Sequence, residues 1–181
     1  MSNNPRVVAL KKFLFSSEHN VYAVIDGAAC PDLRFKIYDW EPKSHCLWRG
    51  ELAPDMQEVA PYLVQLEQTS SFTDWLLEKG WANNWNIFVE SPLEDDVFQQ
   101  QIRKLLTVES PEGKPLMFRF YDPRVLKMYT ETMTNEQAPD FFAGVLRFIY
   151  PIEHLAQAAI AQYNEIEQSV EFSIHDLVEE E

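Results

Sequence analysis

Val21-Tyr22-Ala23-Val24-Ile25, closed by Asp26-Gly27, is the stretch on which the fold reading turns. It is apolar at every position and rich in β-branched residues, with no polar alternate face. Such a run predicts a strand buried on both sides, the pattern of parallel sheets covered by helices. Asn86-Ile87-Phe88-Val89-Glu90 repeats the pattern. Shorter strand signals stand at Cys46-Leu47-Trp48, Tyr62 to Leu66, Leu116 to Tyr121 and Gly144 to Tyr150. Helix signals lie between them. One follows Pro31. Another spans Phe72 to Lys79, with Ser71 and Asp74 at capping-box spacing and Gly80 as the stop. Ser91-Pro92-Leu93-Glu94 starts a third, with Leu93, Val97, Ile102, Leu105 and Leu106 on one face. Asp122-Pro123 starts a fourth. Ser110-Pro111-Glu112-Gly113 reads as a hairpin turn. Ile152, Leu155, Ala156, Ala159, Ile160, Tyr163 and Ile166 recur at helical spacing and predict a last helix over 152–167. The expected class is α/β, with mixed α+β as its variant: a central, mostly parallel sheet with one hairpin, flanking helices and a short C-terminal helical extension.

Composition sets the outer bounds. The 181 residues carry 15 basic and 29 acidic side chains, a net charge of −14. A chain of this length buries roughly 70% of its unfolded surface, enough for a core without staples. The acid excess argues against nucleic acid and anionic membrane as partners, since both require a basic face. Eight acids and no Lys or Arg lie between Phe148 and Glu181, which sets three expected segments: 1–19, an α/β body over 20–150, and an acidic C-terminus over 151–181. Cys30 and Cys46 make no disulfide framework, and no long apolar run precedes or interrupts the body. A cytoplasmic, reduced setting is the expectation.

Chemistry-bearing residues are sparse. Asp26 ends a buried strand, the position where sheet proteins hold ligands, and an Asp-Gly pair is also ordinary turn chemistry. Arg119, Asp122 and Arg124 fall within six residues and could clamp an anion, but Asp122 before Pro123 is also a helix cap. In both cases the structural reading is preferred. His19, His45, His154 and His175 stand apart, with no ligand spacing, so no metal or other cofactor is expected. There is no glycine-rich phosphate loop and no nucleophile elbow. Trp81 and Trp85 read equally as core anchors or interface residues. The apolar stripe of Leu155, Ala159, Ile160 and Tyr163 can dock on its own domain, the preferred reading, or on a partner, which makes it a further candidate docking surface. No catalytic residue is assigned. The residues themselves favour a binding protein over an enzyme.

The segments Tyr22 to Ala28, Ala60 to Leu66, Phe88 to Ser91, Pro111-Glu112-Gly113 and, most specifically, Phe118-Arg119-Phe120-Tyr121-Asp122-Pro123-Arg124-Val125 resemble a bacterial domain family of unknown function. Its characterised members are adaptor chaperones of type VI secretion effectors. The resemblance spans about residues 20–150. It implies a non-enzymatic adaptor that binds an effector protein and aids its loading onto the VgrG spike. The family-typical positions are Tyr22, Asp26, Gly27, Pro61, Tyr62, Leu63, Arg119, Tyr121, Asp122, Pro123 and Arg124. Many relatives have a longer helical C-terminus than the acidic segment of roughly 30 residues present here. Two other classes stay open at this point: a small enzyme using Asp26 with Arg119 or Arg124 on an anionic substrate, and a subunit of an unrelated stable hetero-complex.

Overall fold

The computed structural model describes residues 4–153 and 155–177. His154 and the acids Glu179 to Glu181, all counted above, lie outside the described residues. The elements run α1 (Pro5–Leu14), β1 (Asn20–Asp26), α2 (Leu33–Trp40), β2 (Ser44–Cys46), α3 (Pro54–Val59), β3 (Pro61–Gln65), α4 (Ser71–Asn83) and β4 (Asn86–Ser91). They continue with α5 (Asp95–Arg103), a 3-10 turn (Lys104–Leu106), β5 (Thr107–Glu109), β6 (Pro115–Met117), α6 (Pro123–Thr132), α7 (Ala138–Phe141), β7 (Arg147–Pro151), β8 (Gln157–Asn164) and β9 (Ser169–Asp176).

Seven strands form one sheet in the order β2-β3-β1-β4-β7-β8-β9, and β5 and β6 form a separate hairpin. Every pairing among the described residues is antiparallel. This corrects the parallel expectation: the fold is mixed α+β around a large antiparallel sheet. The expected burial on both faces is observed, since β1 is buried from Val21 to Asp26. Strand direction differs from the expectation because double burial reports only that helices cover both faces. Val21, Ala23 and Ile25 enter one core with α1 and α4 residues Leu10, Leu14, Phe72, Leu76 and Trp81. Tyr22 and Val24 enter the other, with Phe98 and Ile102 of α5, Leu126 of α6 and Phe141 of α7. The alternation along β1 thus splits the interior into two apolar layers, one on each side of the sheet.

The expected helix over 152–167 is a strand. Ala158 and Ile160 face one core, Ala159 and Ala161 the other. Because β8 lies between β7 and β9 with both faces covered, its apolar run satisfies a period of two as well as one of 3.6. Three alanines favour a helix intrinsically, but pairing with β7 at Ile149 and Ile160 and with β9 at Ala159 and Ile174 decides otherwise. The Asn164 side chain accepts from the amides of Ile166 (3.0 Å) and Glu167 (3.1 Å), forming the turn into β9. Ile166, the last member of the supposed stripe, is exposed there.

Other local signals are displaced by a residue or more. Ser70, not Ser71, caps α4, accepting from the Phe72 amide at 3.2 Å. Asp74 takes the Lys11 ammonium at 2.6 Å and so ties α4 to α1. Gly80 does not stop α4. A Cβ there would lie 2.6 Å from Asn86 Oδ1 and 2.9 Å from Leu76 Cδ1, so the glycine serves close approach. The helix ends at Asn84, whose φ is +54°. Ser91 stays in β4, accepts from the Leu93 amide at 3.1 Å and donates to Gly144 O at 2.6 Å, while α5 begins at Asp95. On α5, Phe98 and Ile102 point inward and Val97 is exposed. Among the described residues, no helix is long and apolar enough to cross a membrane.

Candidate functional site

Asp26 stands at the end of β1 and is almost fully buried. Its Oδ1 accepts from the Ala28 amide at 3.0 Å, and its Oδ2 accepts from the Arg119 guanidinium. Its own amide donates to Trp85 O at 2.8 Å. Both earlier readings therefore meet in one group. Asp26 forms the turn, and it also anchors Arg119 across 93 residues of sequence. That hydrogen bond and the Asp26 charge raise the Arg119 guanidinium further above its ordinary range. Tyr121 lies buried beside the pair. Burial, aided by the Asp26 charge, pushes its phenol up to about 12.

Asp122 caps α6 as expected. Its Oδ1 accepts from the Arg124 amide and from Arg124 Nε, both at 3.0 Å, and its Oδ2 from Arg124 Nη2 at 2.7 Å. Burial pushes this carboxyl up. The Arg124 side chain and amide outweigh burial and hold it below its ordinary value. Pro123 fills the first helical position. The motif therefore forms two closed pairs, Asp26 with Arg119 and Asp122 with Arg124. Each cation already holds a carboxylate, and both Asp26 oxygens are engaged.

The remaining family positions support this corner. Gly27 runs so close to β3 that a Cβ would lie 2.3 Å from Ala60 O, while its amide donates to that oxygen at 3.2 Å. Pro61 opposes Asp26 in the β1–β3 register. Tyr62 donates to Gln57 O (3.1 Å) and accepts from Arg34 (2.8 Å), and Leu63 is fully buried. The Tyr22 hydroxyl donates to Leu93 O at 3.0 Å, and its ring sits 4.5 Å from that of Phe98. Burial, then the charges of Asp95 and Glu94, raise that phenol above its ordinary value.

The candidate docking residues divide. Trp81 is interior: its indole donates to Leu155 O at 2.9 Å and stacks 6.0 Å from Phe88. Ile160 and Ala159 are buried in β8, and Leu155 packs against the first core. Tyr163 is half-buried over Phe142. Trp85 is half-buried, in an aromatic group with Trp75 (5.9 Å) and, through it, Trp40.

Two features escaped the sequence reading, because each joins residues distant in the chain. The first is a polar group on β2 and α5. Asp95, 1% exposed, accepts His45 Nε2 at 2.5 Å and lies 3.4 Å from the Lys43 ammonium. His45, Asp95 and Asp96 are the one set among the described residues that has metal-ligand spacing, their donor atoms lying within 4.8 Å of one another. Lys43 and His45 both contact Asp95 Oδ2, whereas Asp95 Oδ1 is buried with no hydrogen-bond partner among the described residues.

The second is a groove of about 720 Å³ between the segment after β2 and the β5–β6 hairpin. Leu47, Leu52, Met56 and Leu106 line it, with Leu116 and Met117 from the hairpin. Its remaining charged lining is Arg49, Arg103 and Lys104. Arg103 donates to the carbonyls of Cys46 (2.6 Å) and Leu47 (3.2 Å), capping the end of β2.

Neither a curated protein nor a solved structure matches the chain. A family model does match, over residues 21–140, a span holding β1 from Val21 onward, the Asp26–Arg119 latch, the capped α6 and the whole groove. The chain belongs to the family described as the domain of unknown function DUF4123.

Proposed function

We propose that this protein is a non-enzymatic adaptor that binds a type VI secretion effector and aids its loading onto the VgrG spike. The observation that carries this reading is how the motif residues are used. Asp26, Arg119, Asp122 and Arg124 are spent on one another and on backbone amides. A general acid or base must reach a substrate proton, and an anion clamp must have an unpaired cation facing a cleft. The latch offers neither. It fixes the loop before α6 against the end of β1, which is scaffold work. Family membership supports the same reading through the resemblance of the Arg119–Arg124 segment to adaptor chaperones.

The test is capture of the tagged chain from the native cell, followed by mass spectrometry and reconstitution from purified components. A stoichiometric complex with an effector, and with the spike protein through it, is the expected result. Failure of the purified effector to bind, or turnover of a substrate abolished by Asp26→Asn, would overturn the proposal.

A further inference from the structure

We infer that the groove between the segment after β2 and the β5–β6 hairpin is the docking site for an acidic, amphipathic segment of the partner protein. This rests on the adaptor reading for the existence of a partner and adds where it binds and by what chemistry.

Charge is the first observation. Acids outnumber bases 29 to 15 in this chain, yet among the described residues the groove lining holds Arg49, Arg103 and Lys104 and no acid. Among the described residues, none of the three has a carboxylate partner. Arg103 is held by two backbone carbonyls and Lys104 by the Gln101 amide oxygen at 2.9 Å. Glu51, the acid nearest in sequence to Arg49, lines the neighbouring cavity with Arg34 instead. Three cations set in low-dielectric walls focus a positive field inside an otherwise negative molecule, and a negative ligand is its complement.

Apolar surface is the second. Met56, Leu116 and Met117 are 43%, 50% and 62% exposed on the groove walls. Methionines at a binding surface adapt to varied side chains. Among the described residues the β5–β6 hairpin pairs with no other strand, and an isolated two-stranded hairpin is marginal in water. An apolar face seated on Leu116 and Met117 would stabilise it.

The probe is a synthetic helical peptide of about four turns, with Leu or Met at i, i+3, i+4 and i+7 and Glu elsewhere. The control is the same peptide with Lys for Glu. Binding is read by fluorescence anisotropy, and the site by amide shift changes in the isotopically labelled full chain. The acidic probe should bind and the Lys control should not, with shifts at Leu47–Met56, Arg103–Thr107 and Pro115–Met117. Arg49→Glu with Lys104→Glu should weaken binding at least tenfold without moving Tm, since both side chains are exposed and hold no carboxylate. Leu116→Ser should weaken it several-fold. Equal binding of both peptides, shifts elsewhere, or unchanged affinity in the double variant would overturn the inference. Self-association in analytical ultracentrifugation, lost in the double variant, would overturn it in favour of a second copy as occupant. Failure of the two proposals is separable. If the double variant captures the effector as well as the parent does, the groove assignment falls and the adaptor reading stands. If no effector is captured at all, the adaptor reading falls and the peptide result stands by itself.

Discussion

Asp122 shows what a single residue can announce. A polar residue before Pro, between an apolar strand and an apolar-periodic segment, has few uses other than capping, and the observed bonds to the Arg124 amide and side chain are that use. Asp122→Ala should cost about 0.5–2 kcal/mol of stability, read as a lower urea midpoint. The pH dependence follows from the sign of the shift. Its carboxyl is held below its ordinary 3.8, so the charged form is the one the fold favours. The contribution is present in full above pH 3.8 and is lost as pH falls through the lower folded value. Asp122→Asn should therefore differ from the parent at pH 6 and converge with it in strong acid; a constant gap across that range would mean the charge has no part in it. Gly27 is a residue whose role sequence could not reveal. Asp-Gly reads as a flexible turn, whereas the glycine is needed because Ala60 O would meet a Cβ at 2.3 Å. Gly27→Ala should cost about 1–3 kcal/mol, as overpacking against fixed backbone does, and Asp26→Asn should add little once that corner is already displaced. A double-mutant cycle by thermal melting checks both statements.

At the scale of elements, legibility tracks how local the deciding interaction is. The strands β1, β3 and β4, the hairpin turn and α6 are fixed by runs and caps within a few residues, and the sequence reading places them. Helix α1 carries Val7, Leu10 and Leu14 at a spacing of three and four, a local signal of a helix that the sequence itself contains. Strand β8 is the opposite case. Its Ala-rich run is ambiguous by itself, and only the flanking strands settle it. The C-terminal hairpin is therefore interior structure: Ala158 and Ala161 are fully buried, and Leu177 beyond it is 2% exposed. A chain cut after Pro151 should lose cooperative unfolding, because β7 would be left as a raw edge and apolar residues on both core layers uncovered. A sharp melt and native near-ultraviolet dichroism in the truncated chain would show instead that the hairpin is an appendage. By contrast, Phe172→Ser and Ile174→Ser on β9, 48% and 61% exposed, should leave Tm within a few degrees.

For the whole molecule, strand direction is the property least available from the chain. A strand covered by helices on both faces looks the same whether its neighbours run with it or against it, and direction depends on which strands the connections bring side by side. Here β1 sits between β3 and β4, both of opposite sense, so helices flank an antiparallel sheet. The same ordering separates charge. Strands β8 and β9, at one edge, and their turn carry Glu165, Glu167, Glu171 and Asp176 with no Lys or Arg, and the basic groove abuts β2 at the other edge. Two opposing terms then set the response to salt. Fourteen net negative charges repel one another, and screening relieves that repulsion. Screening also weakens ion pairs, but those of Asp26, Glu90, Asp95 and Asp122 each have a carboxylate at most 9% exposed, and buried pairs are screened much less. Repulsion is the longer-ranged term, acting over about 30 Å at 0.01 M salt and about 3 Å at 1 M. Raising NaCl across that range at pH 7 should therefore stabilise the fold by about 1–2 kcal/mol, a rise in Tm of roughly 2–8 °C for a chain of this size. Binding of an acidic segment in the groove should respond with the opposite sign, weakening as salt rises, because there the long-range term is attraction. A Tm that falls with salt would show that the ion pairs, rather than the acid excess, dominate the electrostatics of the folded chain.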